Sequence, residues 1–193
     1  MSLSERQREI LDAALERIDE SGIQELTMKR IAASVGISEP ALYRHFTSKS
    51  EILSAVVGEM ETVSAQSLES ARRTGRGSAE VLASFLESHS RRFAERPALT
   101  AVLFSEDLFR NDATLHSRVG AIVSNTQELL RREIEKGRAS EEFRRDLEPE
   151  AAAFMLAGGF RLLVSLWNLR GHDFDLIART RSYLESAIKI LKN

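Results

Sequence analysis

Between Lys29 and Lys49 the chain carries Lys29, Ser38, Glu39, Tyr43, Arg44, His45 and Lys49, a set of cations and hydrogen-bonding groups in which Glu39 is the only acid. Lysine and arginine neutralise phosphates, hydroxyls fix a register on the backbone, and a guanidinium matches the O6 and N7 edge of guanine. These types suit gripping a polyanion better than making or breaking bonds. No serine sits in an elbow motif, and no glycine-rich phosphate loop is present. Taken singly, each residue has a plain alternative: Tyr43 can anchor a small core and His45 can lie solvated at a helix end. His89, His116, Glu106, Asp107 and Asp112 share no known metal-ligand spacing, and the chain has no cysteine. Neither a metal nor a cofactor is expected.

A surface that grips DNA has to be held by short, rigid elements. Ser4 and Gln7 form a capping box, followed by Ile10, Leu11, Ala14, Leu15 and Ile18 on one helical face up to Gly22. Thr27 can cap a second helix with Met28, Ile31, Ala32 and Val35 inward, and Gly36 tolerates the positive φ of a turn. Ser38 can cap a third helix, with Pro40 in its first turn and Leu42 and Phe46 as an i, i+4 apolar pair. Small Ala32 lets the second and third helices approach, and Ile31, Val35, Ile37 and Leu42 fill the space between them, which is helix-turn-helix geometry. Ser48 with Glu51 opens a fourth helix that reaches to about Arg72, ahead of a polar stretch, Arg72 to Ser78. Beyond it the apolar spacing predicts helices over Ser78 to Glu95, Pro97 to Phe109, Asp112 to Lys136, Pro149 to Leu169 and Phe174 to Leu191.

The bulk numbers agree with an all-α protein. In 193 residues, apolar side chains make up 42% and charged ones 29%, with ten glycines and three prolines, too few for a turn-rich β fold. The net charge of −2 means that any basic surface must be local. The first residues lack the apolar stretch of a signal peptide, and a cytoplasmic protein is expected. The one long apolar run, Ala151 to Leu169, carries Arg161 near its middle. A central arginine costs about 2.5 to 3.5 kcal/mol on insertion, so the run is expected to be a buried helix and not a membrane span.

On Leu26-Thr-Met-Lys-Arg-Ile-Ala-Ala-Ser-Val-Gly-Ile-Ser, and on Leu42-Tyr-Arg-His-Phe followed by Lys49 and an aliphatic fourth helix, the chain resembles the TetR family of helix-turn-helix regulators. The resemblance covers about the first 65 residues and is only architectural beyond Arg72. It implies a helix-turn-helix DNA-binding domain over residues 1–50 and a larger ligand-sensing and dimerisation domain over residues 51–193, joined by the fourth helix. By that resemblance Thr27, Tyr43, His45 and Lys49 are phosphate contacts, whereas Lys29, Ser38, Glu39, Pro40, Ala41 and Arg44 stand where base edges are read. The implied partner is double-stranded DNA bearing an inverted repeat, and the implied mode is repression relieved by a small, largely apolar effector.

Downstream, the resemblance implies an apolar cavity with a polar anchor, for which Phe85, His89, Phe93, Phe104, Phe109 and Trp167 are the candidates; ordinary core packing is the alternative for each. The last two helices are apolar on broad faces. Phe160, Leu163 and Trp167 on one and Leu184 and Ile188 on the other are expected to form a two-fold homodimer interface, with Ala157-Gly158-Gly159 permitting close approach. Two rival functions stay open at this point: an all-helical enzyme, and a protein-interaction module that uses DNA for assembly.

Overall fold

In the computed structural model, which describes residues 3–105 and 112–192, the caps expected at Ser4, Thr27 and Ser38 are formed. Ser4 and Gln7 close a reciprocal box at the start of α1, Glu5–Ser21. After a single 3-10 turn, Ile23–Glu25, the Thr27 hydroxyl accepts from the amide of Arg30 and opens α2, Met28–Val35. Gly36 ends α2 at φ +74°, and Ser38 opens α3, Glu39–Tyr43. Then follow α4, Lys49–Thr74, α5, Ser78–Glu95, and α6, Ala98–Leu103. The chain ends on α7, Ala113–Ala139, α8, Pro149–Leu169, and α9, Leu176–Lys192. Among the described residues there is no strand.

The chain divides into two compact units, Met1–Glu61 with Arg96–Gly120, and Thr62–Glu95 with Ala121–Asn193. In the first, α1 packs on α2 and α6, and α2 packs on α3. Its core holds Ile10, Leu11, Ile31, Leu42, Phe46, Ile52, Leu53 and Val57, all nearly or wholly buried. Val35 and Ile37, expected between α2 and α3, are only half-buried, because the turn at Gly36 brings them toward its rim.

In the second unit α9 packs on α5 and α8. Leu82, Phe85, Leu86, Leu130, Ile134, Phe143, Val164 and Leu184 form its interior. The buried carboxylate of Glu133 on α7 accepts from Arg72 Nε at 2.8 Å, which ties down the end of α4. Glu142, in the connection after α7, reaches the open start of α5 and accepts from the amides of Ser78 at 2.6 Å and Ala79 at 3.1 Å. A carboxylate there satisfies orphan amides and meets the positive end of the helix dipole.

Phe160, Trp167 and Leu184, expected at a dimer interface, are buried within this one chain. Phe160 stacks on Phe93 of α5 at 6.3 Å between ring centres. The Trp167 indole donates to the carbonyl of Phe174 at 3.0 Å and packs on His172 at 4.0 Å, closing the turn between α8 and α9. His172 is exposed but held by this stack and by Asn168. Leu163 and Ile188 are half-buried, and Leu184 and Ile188 line a shallow groove of about 500 Å³ between α5 and α9 with Glu87, Arg181 and Lys189. Gly159 makes room for Tyr183 of the same chain, whose hydroxyl donates to the Leu156 carbonyl at 2.9 Å.

The helix expected to be buried is in fact two-faced. Only 33% of the apolar window of Pro149–Leu169, long and apolar enough to cross a membrane, is buried. Phe154, Met155, Leu162, Leu166 and Leu169 stand exposed along its other side, and Gly158 among them has nothing near it.

Candidate nucleic-acid interface

The turn after α2 decides what α3 can present. Leu42 on its inner side is fully buried while Tyr43 and Arg44 on the outer side are exposed. At 46% exposure Tyr43 is no core anchor, so its ring and hydroxyl are available to a partner. Helix α3 is shorter than the apolar pair Leu42 and Phe46 suggests. It ends at Tyr43, and Arg44 caps it, with the amides of His45 and Phe46 both donating to the Leu42 carbonyl at 2.9 and 3.1 Å.

Capping and ligand binding are compatible here for a simple reason. Thr27 Oγ1 accepts from the amide of Arg30 at 3.2 Å and Ser38 Oγ from that of Ala41 at 3.3 Å. Each cap uses an oxygen lone pair and leaves the hydroxyl proton to donate, for example to a phosphate. Both residues are exposed, as are Lys29 and Pro40, while Glu39, Ala41, His45 and Lys49 are half-buried. Lys49 is the first residue of α4, where free amides and the helix dipole add to its charge. Ser48 Oγ accepts from the amide of Glu51 at 3.1 Å, and the Glu51 carboxylate accepts from Thr47 N at 2.6 Å. This reciprocal pair is offset by one residue from the box expected at Ser48.

Among the described residues Lys29, Arg44 and Lys49 form no ion pair, whereas neighbouring Arg30 is held by the Glu25 carboxylate at 2.6 Å. These three cations lie on α2, at the end of α3 and at the start of α4. Sequence reasoning missed Gln7: beyond its capping role, its side-chain amide donates to the His45 carbonyl at 3.4 Å and steadies the chain after α3. Nothing local signals that long-range bond.

The six residues expected around an effector are not all brought together. Phe85, His89, Phe93 and, beyond them, Phe160 form one row in the second unit, with ring centres 4.4, 6.4 and 6.3 Å apart. His89 is its polar member. Its Nδ1 donates to the Phe85 carbonyl at 2.9 Å, which leaves Nε2 to accept from Ser64 Oγ at 2.8 Å in the neutral ring. Burial of the ring pushes its pKa below the ordinary value, and the bond to Phe85 opposes that push only in part. Trp167 pairs with His172 instead of joining the row. Phe104 lies in the first unit at the end of α6, and Phe109 lies outside the described residues. No three His, Asp or Glu side chains gather where a metal could sit among the described residues.

Residues 10–56 match the model of bacterial regulatory proteins of the tetR family, and residues 58–189 match that of the C-terminal region of YsiA-like proteins. A nucleoid occlusion factor, SlmA, from Actinobacillus pleuropneumoniae is 29% identical over 119 residues, 61% of this chain, which thus spans 59% of that relative. The fatty acid metabolism regulator protein of Bacillus subtilis is 24% identical over 185 residues, 96% of this chain and 95% of that one. Among solved structures, a transcriptional regulator FadR from Bacillus subtilis, in complex with stearoyl-CoA, superposes with a TM-score of 0.80 at 24% identity, covering 94% of this chain and 97% of the other.

Proposed function

The chain belongs to the TetR family of bacterial regulatory proteins, and from that premise we propose that it is a homodimeric repressor which a long-chain acyl thioester releases from an inverted-repeat operator. It is a DNA-binding transcriptional regulator, and its place of work is the cytoplasm, where the DNA is. Residues 1–50 are the DNA-binding part, and residues 51–193 sense and dimerise. Thr27, Tyr43, His45 and Lys49 hold phosphates; Lys29, Ser38, Glu39, Pro40, Ala41 and Arg44 meet base edges. The observation that carries this assignment is the cationic, unpaired and exposed face around α3, in a chain whose net charge is −2.

Dimerisation is supported by the stripe Phe154, Met155, Leu162, Leu166 and Leu169, too apolar to be left in water, with open Gly158 letting two backbones approach. A two-fold pair presents two copies of α3 to successive major grooves about 34 to 36 Å apart, hence the inverted repeat. The acyl class is supported by the near end-to-end match to a fatty acid regulator and by the stearoyl-CoA held by a protein of the same fold. The row Phe85, His89, Phe93 combines apolar rings with one polar member, the chemistry an acyl chain with a polar head calls for.

The test is a titration of the protein, bound to a duplex it has enriched from a random library, with stearoyl-CoA, stearate or coenzyme A. Stearoyl-CoA should lower operator affinity by roughly 5-fold to 150-fold and coenzyme A should not. Tight binding of stearoyl-CoA with unchanged operator affinity would end the release mechanism.

A further inference from the structure

Helix α4 carries a glycine, Gly58, well inside its 26 residues, a position where glycine weakens a helix. The structure gives a reason for it. Arg118, in the second turn of α7, lays its guanidinium across α4 at this point, and a Cβ on residue 58 would come within 2.9 Å of its Nη2. Arg118 Nη1 donates to the Ser54 carbonyl at 2.7 Å and to Ser54 Oγ at 2.8 Å, while Nη2 pairs with the Glu61 carboxylate at 3.1 Å. In an α-helix the Ser54 carbonyl also accepts from the amide of residue 58, so a side chain there would cover the oxygen that Arg118 uses. Two further ties hold the same part of the first unit. Ser50 Oγ donates to Asp112, which caps α7 through the Leu115 amide at 2.9 Å, and Arg96 pairs with Asp12 of α1. The Asp112 carboxyl is held below the ordinary carboxylate range by these donors.

We propose that Arg118 is a positioning residue for operator recognition. By locking the first half of α4 to the start of α7, it sets the angle at which Lys49, at the head of α4, and α3, packed in the same core, meet the groove. The proposal rests on the regulator reading and adds to it a residue outside the helix-turn-helix. An arginine fork suits the task, because its donors reach a carbonyl, a hydroxyl and a carboxylate in one fixed geometry.

The test uses the full chain and two duplexes, the one it enriches from a random library and a scrambled version, each across a salt series. Arg118→Met should weaken binding to the enriched duplex about 10-fold, leaving the scrambled duplex and the salt slope unchanged. Gly58→Ala should do the same, since its methyl displaces the guanidinium without removing any bonding group. The double variant should lose no more than Arg118→Met alone, because the clamp can be broken only once. If Arg118→Met fails to fold, Gly58→Ala carries the test by itself. Unchanged operator affinity in the folded variants, equal loss on both duplexes, or additive losses would overturn the proposal. Failure to enrich any duplex would overturn the regulator reading and this proposal with it.

Discussion

The surface around α3 and the surface of the second unit spend their charges differently. On the first, Lys29, Arg44 and Lys49 stand without ion pairs among the described residues. On the second, several arginines are matched within a turn or two: Arg131 and Arg132 with Glu128, Arg144 with Asp146, Arg145 with Glu141. The pairing around Glu128 is close enough to lower that carboxyl to about 2. A cation already engaged gains little from a phosphate, because it must first give up its partner. Unpaired cations release counterions from DNA at no such cost. What separates Lys29, Arg44 and Lys49 from these arginines is less how much charge they carry than how little of it is neutralised by neighbours.

The largest effects are expected on α8. Leu166→Glu, on the exposed stripe, should give a folded monomer in sedimentation and reduce operator binding toward the nonspecific level, a loss of roughly 10³-fold or more. An unchanged dimer would mean that another face pairs. Phe160→Ala tests the opposite side of the same helix and should lower stability by roughly 3 to 5 kcal/mol in denaturant unfolding. Loss of dimer mass without loss of stability would return Phe160 to the interface.

Smaller effects sharpen the contrast on the DNA side. Arg44→Ala should relax preference at one symmetric position by about 1 to 3 kcal/mol per half-site. Lys49→Ala should instead weaken binding to every duplex and make the salt dependence shallower by roughly one to two log–log units per dimer. Equal loss on operator and scrambled DNA for Arg44→Ala would move that residue to the backbone contacts.

The smallest effect concerns His89. Its folded pKa is lowered by burial, so the unfolded chain takes up a proton first as pH falls. The stability it contributes is complete above the ordinary histidine value of about 6.5 and is lost as pH drops from there toward the folded value. Thermal unfolding followed from pH 7.5 downward should therefore show a steeper loss for the wild type than for His89→Gln. Parallel curves would assign the slope to other groups.

The first fifty residues were legible because their signals are local. Ser4 with Gln7, Thr27, Gly36, Ser38 and Pro40 each act within about one helical turn, so spacing alone reveals them. Helix α5 was equally clear, its bounds being those the apolar spacing predicts. Helix α8 was not, because it is apolar on most sides. Which of Phe160 and Leu162, or Trp167 and Leu166, faces inward is decided by where α9 docks, and no period within α8 records that. The bonds of Gln7 to His45 and Arg118 to Ser54 were hidden for the same reason, since their partners lie far apart in the chain.

The reach of Glu142 to the start of α5 has a consequence for synthesis. Its partner Ser78 lies 64 residues earlier in the chain. At a ribosomal pace of about 5 to 20 residues per second, the amides at the head of α5 wait roughly 3 to 13 seconds for the carboxylate that caps them. Until then they face water, so the front of α5 is a frayed end on the nascent chain and becomes a finished helix terminus only after α7 has emerged.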